Sequence, residues 1–134
     1  MTKSDLAKFR SLKQKANQYK ERMAEIRSEM ESPPIPHLTG MPSGSQTENR
    51  LERLVVKYDE LFRRYAQKAE EVVEQEAEIL DAIESLPERE CNIMYAYYVL
   101  GLTWEEVCTH DEVHYSWSQV HRYRRRALER LKNF

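Results

Sequence analysis

The chain has 134 residues, 33% of them charged, a formal net charge of -2 and only three glycines. That length accommodates one domain or two small ones, and the composition favours long solvated helices over a thick globular core. No apolar run approaches the roughly 20 residues of a membrane span, and the charged, polar N-terminus does not read as a secretory leader; a cytoplasmic, all-α protein is expected.

The first predicted element is a helix from Ser4 to Glu31. Phe9, Leu12, Ala16, Tyr19, Met23, Ile26 and Met30 alternate three and four residues apart, the spacing of a narrow heptad seam that needs a partner helix. From Lys8 to Arg22 this helix carries six Lys/Arg against one acid, Glu21. Such a run reads as a solubilising exposed face.

Residues 32–45 form a linker. The run SPPIPHLTGMPSG contains four of the five prolines, and consecutive prolines cannot continue a helix. A capping box, Ser45 with Glu48, then opens a second helix predicted to reach about Ser85. Leu51, Leu54, Tyr58, Leu61 and Tyr65 continue the seam, with Val55 and Phe62 widening it; Val72, Ile79 and Ile83 carry it on, and Leu86 passes it to the next helix. At 1.5 Å per residue the two helices are about 42 and 60 Å long. Folded back antiparallel, the shorter leaves the last turns of the longer overhanging. That overhang is acidic, with nine acids and one arginine, Arg89, between Glu70 and Glu90. Residues 1–85 are therefore expected to be a helical hairpin. Its seam would leave apolar surface wet unless a second hairpin covers it, so Tyr19, Met23, Ile26, Leu51, Leu54, Tyr58, Leu61 and Tyr65 are the expected oligomerisation residues, with a homodimer favoured.

Residues 86–134 read as a helix-turn-helix module. Pro87 suits a first helical turn, and Glu88 and Glu90 sit at the positive end of the helix dipole. Ile93, Met94, Tyr97 and Tyr98 supply an inward face, and Gly101 ends the helix. Thr103 with Glu106 is a second capping box, opening a short helix whose inward residues are Trp104 and Val107. Ser116 caps the last helix. At ~100° per residue, Val120, Ala127 and Leu131 fall on one side of it, flanked by Trp117, Tyr123 and Leu128. Ser118, Arg122, Arg125 and Arg126 lie opposite, with Gln119 and His121 at the edges. Ser118 to Lys132 holds six Lys/Arg against Glu129, a local concentration of positive charge in a slightly acidic chain. A capped helix that begins with short polar residues and continues in arginines suits a DNA major groove. Its DNA-binding residues are expected to be Ser116, Trp117, Ser118, Gln119, His121, Arg122, Arg125 and Arg126. Arg122 to guanine and Gln119 to adenine would read bases, while Arg125 and Arg126 would hold phosphates.

Leu86-Pro87, Arg89, Tyr98, the run Gly101-Leu102-Thr103-Trp104-Glu105-Glu106-Val107, Val120 and Ala127-Leu128 resemble region 4 of bacterial sigma factors. The chain is more similar still to the ArpU/RinA-type late-gene transcription regulators of phages of low-GC Gram-positive bacteria. The resemblance rests on the last third of the sequence. It implies a promoter-reading helix-turn-helix, double-stranded DNA as partner, possible contact with host RNA polymerase, and a phage- or prophage-encoded regulator acting in the bacterial cytoplasm. Three positions depart from the pattern. Val107 to Val120 is two residues longer than usual, with the extra residues in Thr109–Glu112. His114 stands at a turn position usually held by glycine, where φ is often positive. Arg124, four after Val120, replaces a usual apolar residue.

Two other functions share these features. A phage small terminase subunit also joins a helix-turn-helix to oligomerising helices, and a sigma mimic would occupy RNA polymerase without reading DNA. No phosphate loop, nucleophile triad or metal box is present, so an enzyme is not expected, nor a cofactor or small-molecule substrate. Cys91 and Cys108 read as a reduced pair near the inward faces of the module. Cys108, His110 and His114 offer three ligands but no CxxC, short of the four ligands of a structural zinc site.

Overall fold

The computed structural model describes residues 1–32 and 44–134, the second segment with side chains from residue 49 onward. Among these residues every regular element is helical, and the chain is all-α. Helix α1 is Lys3–Glu31 and α2 is Gly44–Glu84. Helix α3, Glu88–Met94, runs directly into a π-helical turn, Tyr95–Val99. Helices α4, Trp104–Thr109, and α5, Trp117–Leu131, follow. Most of the predicted linker, residues 33–43, lies outside the described residues, as do the side chains of the predicted Ser45–Glu48 box. Helix α2 already begins at Gly44. No described helix is long and apolar enough to cross a membrane.

The chain divides into two compact units, and the division is not at residue 85. One unit is Lys15–Lys68; the other joins Met1–Gln14 to Ala69–Phe134. In the first, residues of α1 and α2 line a common groove, with Arg22, Ile26 and Glu29 on one wall and Leu54, Leu61 and Arg64 on the other. Ala16, Met23, Leu54 and Leu61 are buried there, while Tyr19, Ile26, Tyr58 and Tyr65 are half-buried. The seam expected to face a second molecule is thus largely consumed inside the single chain. Of the residues assigned to oligomerisation only Leu51 is well exposed, at 48%; Val55 at 44% and Phe62 at 52% join it on the outer side of α2.

In the second unit the start of α1 belongs with the C-terminal module. Leu6 and Phe9 are completely buried, which contributes roughly 1.5–3 kcal/mol each. The stretch of α2 expected to overhang is covered as well: Ile79, Ala82 and Ile83 are all buried, as is Leu86 just beyond its end. Within the module, Ile93, Ala96, Val107, Val113 and Val120 form the core, with Tyr97, Leu102, Trp104 and Tyr123 packed on its edge. Helix α5 packs against both α3 and α4. Glu90, counted from sequence in the acidic overhang, is buried at 4%. Its Oε2 meets Arg130 Nε on α5 at 3.1 Å, a charge contact off the line of a good hydrogen bond.

The reason the N-terminus joins this unit lies at the end of the π-helical turn. A helix leaves its last carbonyls without intrahelical partners. Here Leu100 N–H donates to the Tyr95 carbonyl and Leu102 N–H to that of Ala96, across Gly101 at φ +75°. The carbonyls of Tyr97 and Val99 are met from outside. Arg10 Nε donates to Tyr97 O at 3.0 Å and its Nη2 to Leu102 O at 3.1 Å, while Lys13 Nζ donates to Val99 O at 2.8 Å. Cations at a helix C-terminus also interact favourably with its dipole. Arg10 and Lys13 are therefore not part of a solvated charge run.

Candidate nucleic-acid interface

The short helix α4 is closed at its start by the predicted box. Thr103 Oγ1 accepts from Glu106 N–H at 3.2 Å, and Glu106 Oε1 accepts from Thr103 N–H at 3.3 Å. The longer connection to α5 is absorbed as a turn. The His110 carbonyl accepts from both Val113 N–H, at 2.9 Å, and His114 N–H, at 3.2 Å. That turn lowers Val113 into the core, 4% exposed, and leaves His114 at φ +48°. The departure at His114 thus falls on a left-handed residue, as the glycine comparison suggests. Val113 lies in the connection between α4 and α5, outside any helix, so helical periodicity does not find it.

Ser116 caps α5, and the cap is reciprocal. Ser116 Oγ accepts from Gln119 N–H at 3.4 Å, while Gln119 Oε1 accepts from Ser116 N–H at 3.1 Å and from Ser116 Oγ–H at 3.2 Å. A carbonyl oxygen has two lone pairs, and both are engaged. The bidentate adenine contact expected of Gln119, which needs that oxygen as well as the amide NH₂, competes with the cap.

Ser118, Arg122, Arg125 and Arg126 are exposed along α5, as are Ser116 and Gln119 at its start. Arg126 leans towards the Tyr123 ring, 5.8 Å from its centroid. Tyr123 is held in turn, its hydroxyl accepting from Arg89 Nη1 at 3.1 Å. Trp117, expected at the edge of the apolar side, is 53% exposed in the first turn. His121 is half-buried between Trp117 and Trp104, at ring-centroid distances of 4.5 and 4.9 Å. Burial, and then the nearby charges of Arg124 and Arg125, hold its pKa below the usual histidine value. It sits beside the exposed face, in surroundings that favour the neutral ring.

Arg124, the third departure, is half-buried with its guanidinium over the Trp104 indole, 4.9 Å from the centroid. It covers apolar surface where the pattern has an apolar residue, with the planar group suited to stacking. Cys91 and Cys108 are both free and half-buried. Burial, with Glu84, Glu112 and Glu88 nearby, raises the Cys91 thiol pKa and lowers its reactivity. Among the described residues no group of three or more His, Cys, Asp or Glu side chains is placed to hold a metal.

Comparison with protein-family models, with curated proteins and with solved structures finds no match.

Proposed function

We propose that this chain is a sequence-specific DNA-binding regulator of transcription that reads duplex DNA with α5. One observation carries the reading. The reciprocally capped helix α5 buries Val120, Ala127 and Leu131 and turns Ser118, Arg122, Arg125 and Arg126 outward. A helix held on its apolar side, with short polar and then basic residues opposite, is the arrangement that enters a major groove. The resemblance to ArpU/RinA-type phage regulators gives this its setting: phage or prophage promoters in a bacterial cell, with host RNA polymerase as a second partner.

A single reading helix contacts few bases, so two copies on a two-part site complete the proposal. With the rest of the heptad seam buried or half-buried inside the chain, the row of Leu51, Val55 and Phe62 is the surface assigned to the second copy. Selection of bound sequences from random duplex DNA, with light scattering on the same preparation, tests both parts. Recovery of a common motif by a dimeric protein is expected. A closed ring of eight or more subunits without sequence preference points to DNA packaging, and no duplex binding at all leaves the sigma mimic.

A further inference from the structure

Four planar groups from four parts of the second unit lie one upon another. The Arg10 guanidinium, from α1, is 4.1 Å from the centroid of Tyr97 on the π-helical turn. Tyr97 stacks on Trp104 of α4, centroids 3.7 Å apart and planes inclined by 10°. The Arg124 guanidinium, from α5, lies 4.9 Å from the Trp104 centroid. Because Tyr97 and Trp104 occupy each other's inner faces, the two guanidinium groups take the outer ones. The order is Arg10, Tyr97, Trp104, Arg124. His121 of α5 also meets Trp104, ring centroids 4.9 Å apart and planes inclined by 55°.

Resting on the DNA-binding reading, we propose that Arg10 is a positioning residue for α5: it fixes the angle of the reading helix through this stack without touching DNA. Its chemistry fits the task. The Nε and Nη2 groups bind the Tyr97 and Leu102 carbonyls while the plane of the same guanidinium covers the Tyr97 ring. The backbone at the end of the turn and the ring it carries are therefore set by one rigid group. A lysine is a point donor on a flexible stem and cannot do both. The ring of Tyr97 fixes that of Trp104, and Trp104 seats Arg124 and His121. These two flank Arg122 and Arg125 in sequence on the same helix. Lys13 provides the contrast: it binds the Val99 carbonyl, but the cation–π contacts among the described residues are made by arginines alone. A structural role alone would make Arg10 and Lys13 alike.

The experiment uses the full chain with Arg10→Lys, Arg10→Gln and Lys13→Ala. Affinities are measured for a duplex selected by the wild type and for a scrambled duplex, at two salt concentrations, with helicity monitored by circular dichroism. Both Arg10 variants are expected to lose about tenfold on the selected duplex, the scale of one lost base contact. The scrambled duplex and the salt slope should stay within about twofold of wild type, since no phosphate contact is removed. Lys13→Ala should keep the wild-type ratio between the two duplexes. Equal losses on both duplexes, wild-type specificity in Arg10→Lys, or a loss of specificity in Lys13→Ala as large as that in Arg10→Lys each overturn the proposal. A second measurement does not depend on DNA. The Arg124 side-chain protons over the indole face are shifted by its ring current, and Arg10→Lys should move them towards solvent-exposed values. If those resonances stay where they are, the stack does not transmit and the proposal fails whatever the DNA result. If wild type binds no duplex, the functional reading fails, and with it the role of Arg10 as a positioning residue for reading, while the resonances still report whether the stack transmits.

Discussion

Trp104 lies face to face with Tyr97 across the turn between the first two helices of the module, planes inclined by 10°. The tryptophan packs against the core of the module, as its place just inside a capped helix suggests, yet it is only half-buried. Full burial would make Trp104→Ala cost about 3–5 kcal/mol. With part of the ring in solvent, and stacking of about 0.5–1.5 kcal/mol lost as well, a cost of about 2–3 kcal/mol is expected. Chemical denaturation of the full chain, followed through the α-helical signal, measures it; a change below half a kilocalorie would show that the stack does not support the module.

His114 is the clearest backbone compromise. At φ +48° it holds a conformation that costs a residue with a Cβ roughly 1–2 kcal/mol. Glycine removes that cost but widens the unfolded ensemble, an opposing effect of about 0.4–1 kcal/mol. His114→Gly should therefore raise stability by about 0.5–1 kcal/mol. Its N–H bond to the His110 carbonyl is unaffected. A lower melting temperature in the variant would mean that the imidazole contributes something its exposed position does not suggest.

Local rules carried much of this module. The Thr103–Glu106 box, the Ser116 cap, the stop at Gly101 and the apolar side Val120–Ala127–Leu131 all follow from residues within one or two turns of each other, and the structure has each of them. What escaped depends on partners distant in sequence. Arg10 and Lys13 look like any solvated pair until the carbonyls 86 to 92 positions away are beside them. The heptad rule found the seam but could not say whether Met23, Leu54 and Leu61 meet a second molecule or their own chain, because both satisfy the same spacing. Arg124 read as a defect in an apolar pattern because the pattern does not count the flat face of a guanidinium. The π-helical turn that exposes the Tyr97 and Val99 carbonyls has no sequence rule at all.

Glu90 and Arg130 join the first and last helices of the module. The carboxylate is almost wholly buried while the guanidinium side chain is 59% exposed. Removing one member of a buried pair costs about 3–5 kcal/mol; solvent around Arg130 screens this one, and about 1–3 kcal/mol is expected for Arg130→Ala. Glu90→Gln with Arg130→Ala should cost less than the two single changes added together. Additivity in that double-mutant cycle would show that the two charges do not interact.

The two faces of α2 give opposite expectations for neighbouring residues. Leu61 is 7% exposed and belongs to the core of its unit, so Leu61→Asp buries an unpaired carboxylate and should unfold that unit whether or not the protein self-associates. Phe62 points outward, 52% exposed. Phe62→Asp should leave helicity intact and shift the protein towards monomer at tens of micromolar in sedimentation. Unchanged association of a folded Phe62→Asp chain would exclude the outer row as the contact between copies.

Recognition itself is tested by two arginines on one face. Arg122 lies in the second turn of α5, close to the capped end that enters a groove most deeply in helix-turn-helix docking. Its five donors can bind guanine O6 and N7 together, and both Gln119 lone pairs are held by the cap, so Arg122 is proposed as the main reader of bases. Arg126 lies one turn further on, its guanidinium drawn towards the Tyr123 ring; in the proposed docking it holds a phosphate. Arg122→Ala should therefore cost about 1–3 kcal/mol on the selected duplex and relax one base position. Arg126→Ala should weaken every duplex and reduce the salt slope by about one. The turn that seats Val113 threatens this assignment, since two extra residues ahead of α5 can rotate the helix and exchange the roles. Both variants are to be measured on the selected and the scrambled duplex at two salt concentrations. A loss confined to the selected duplex in Arg126→Ala, with a uniform loss in Arg122→Ala, would show that the helix has turned and that the later arginine reads the sequence.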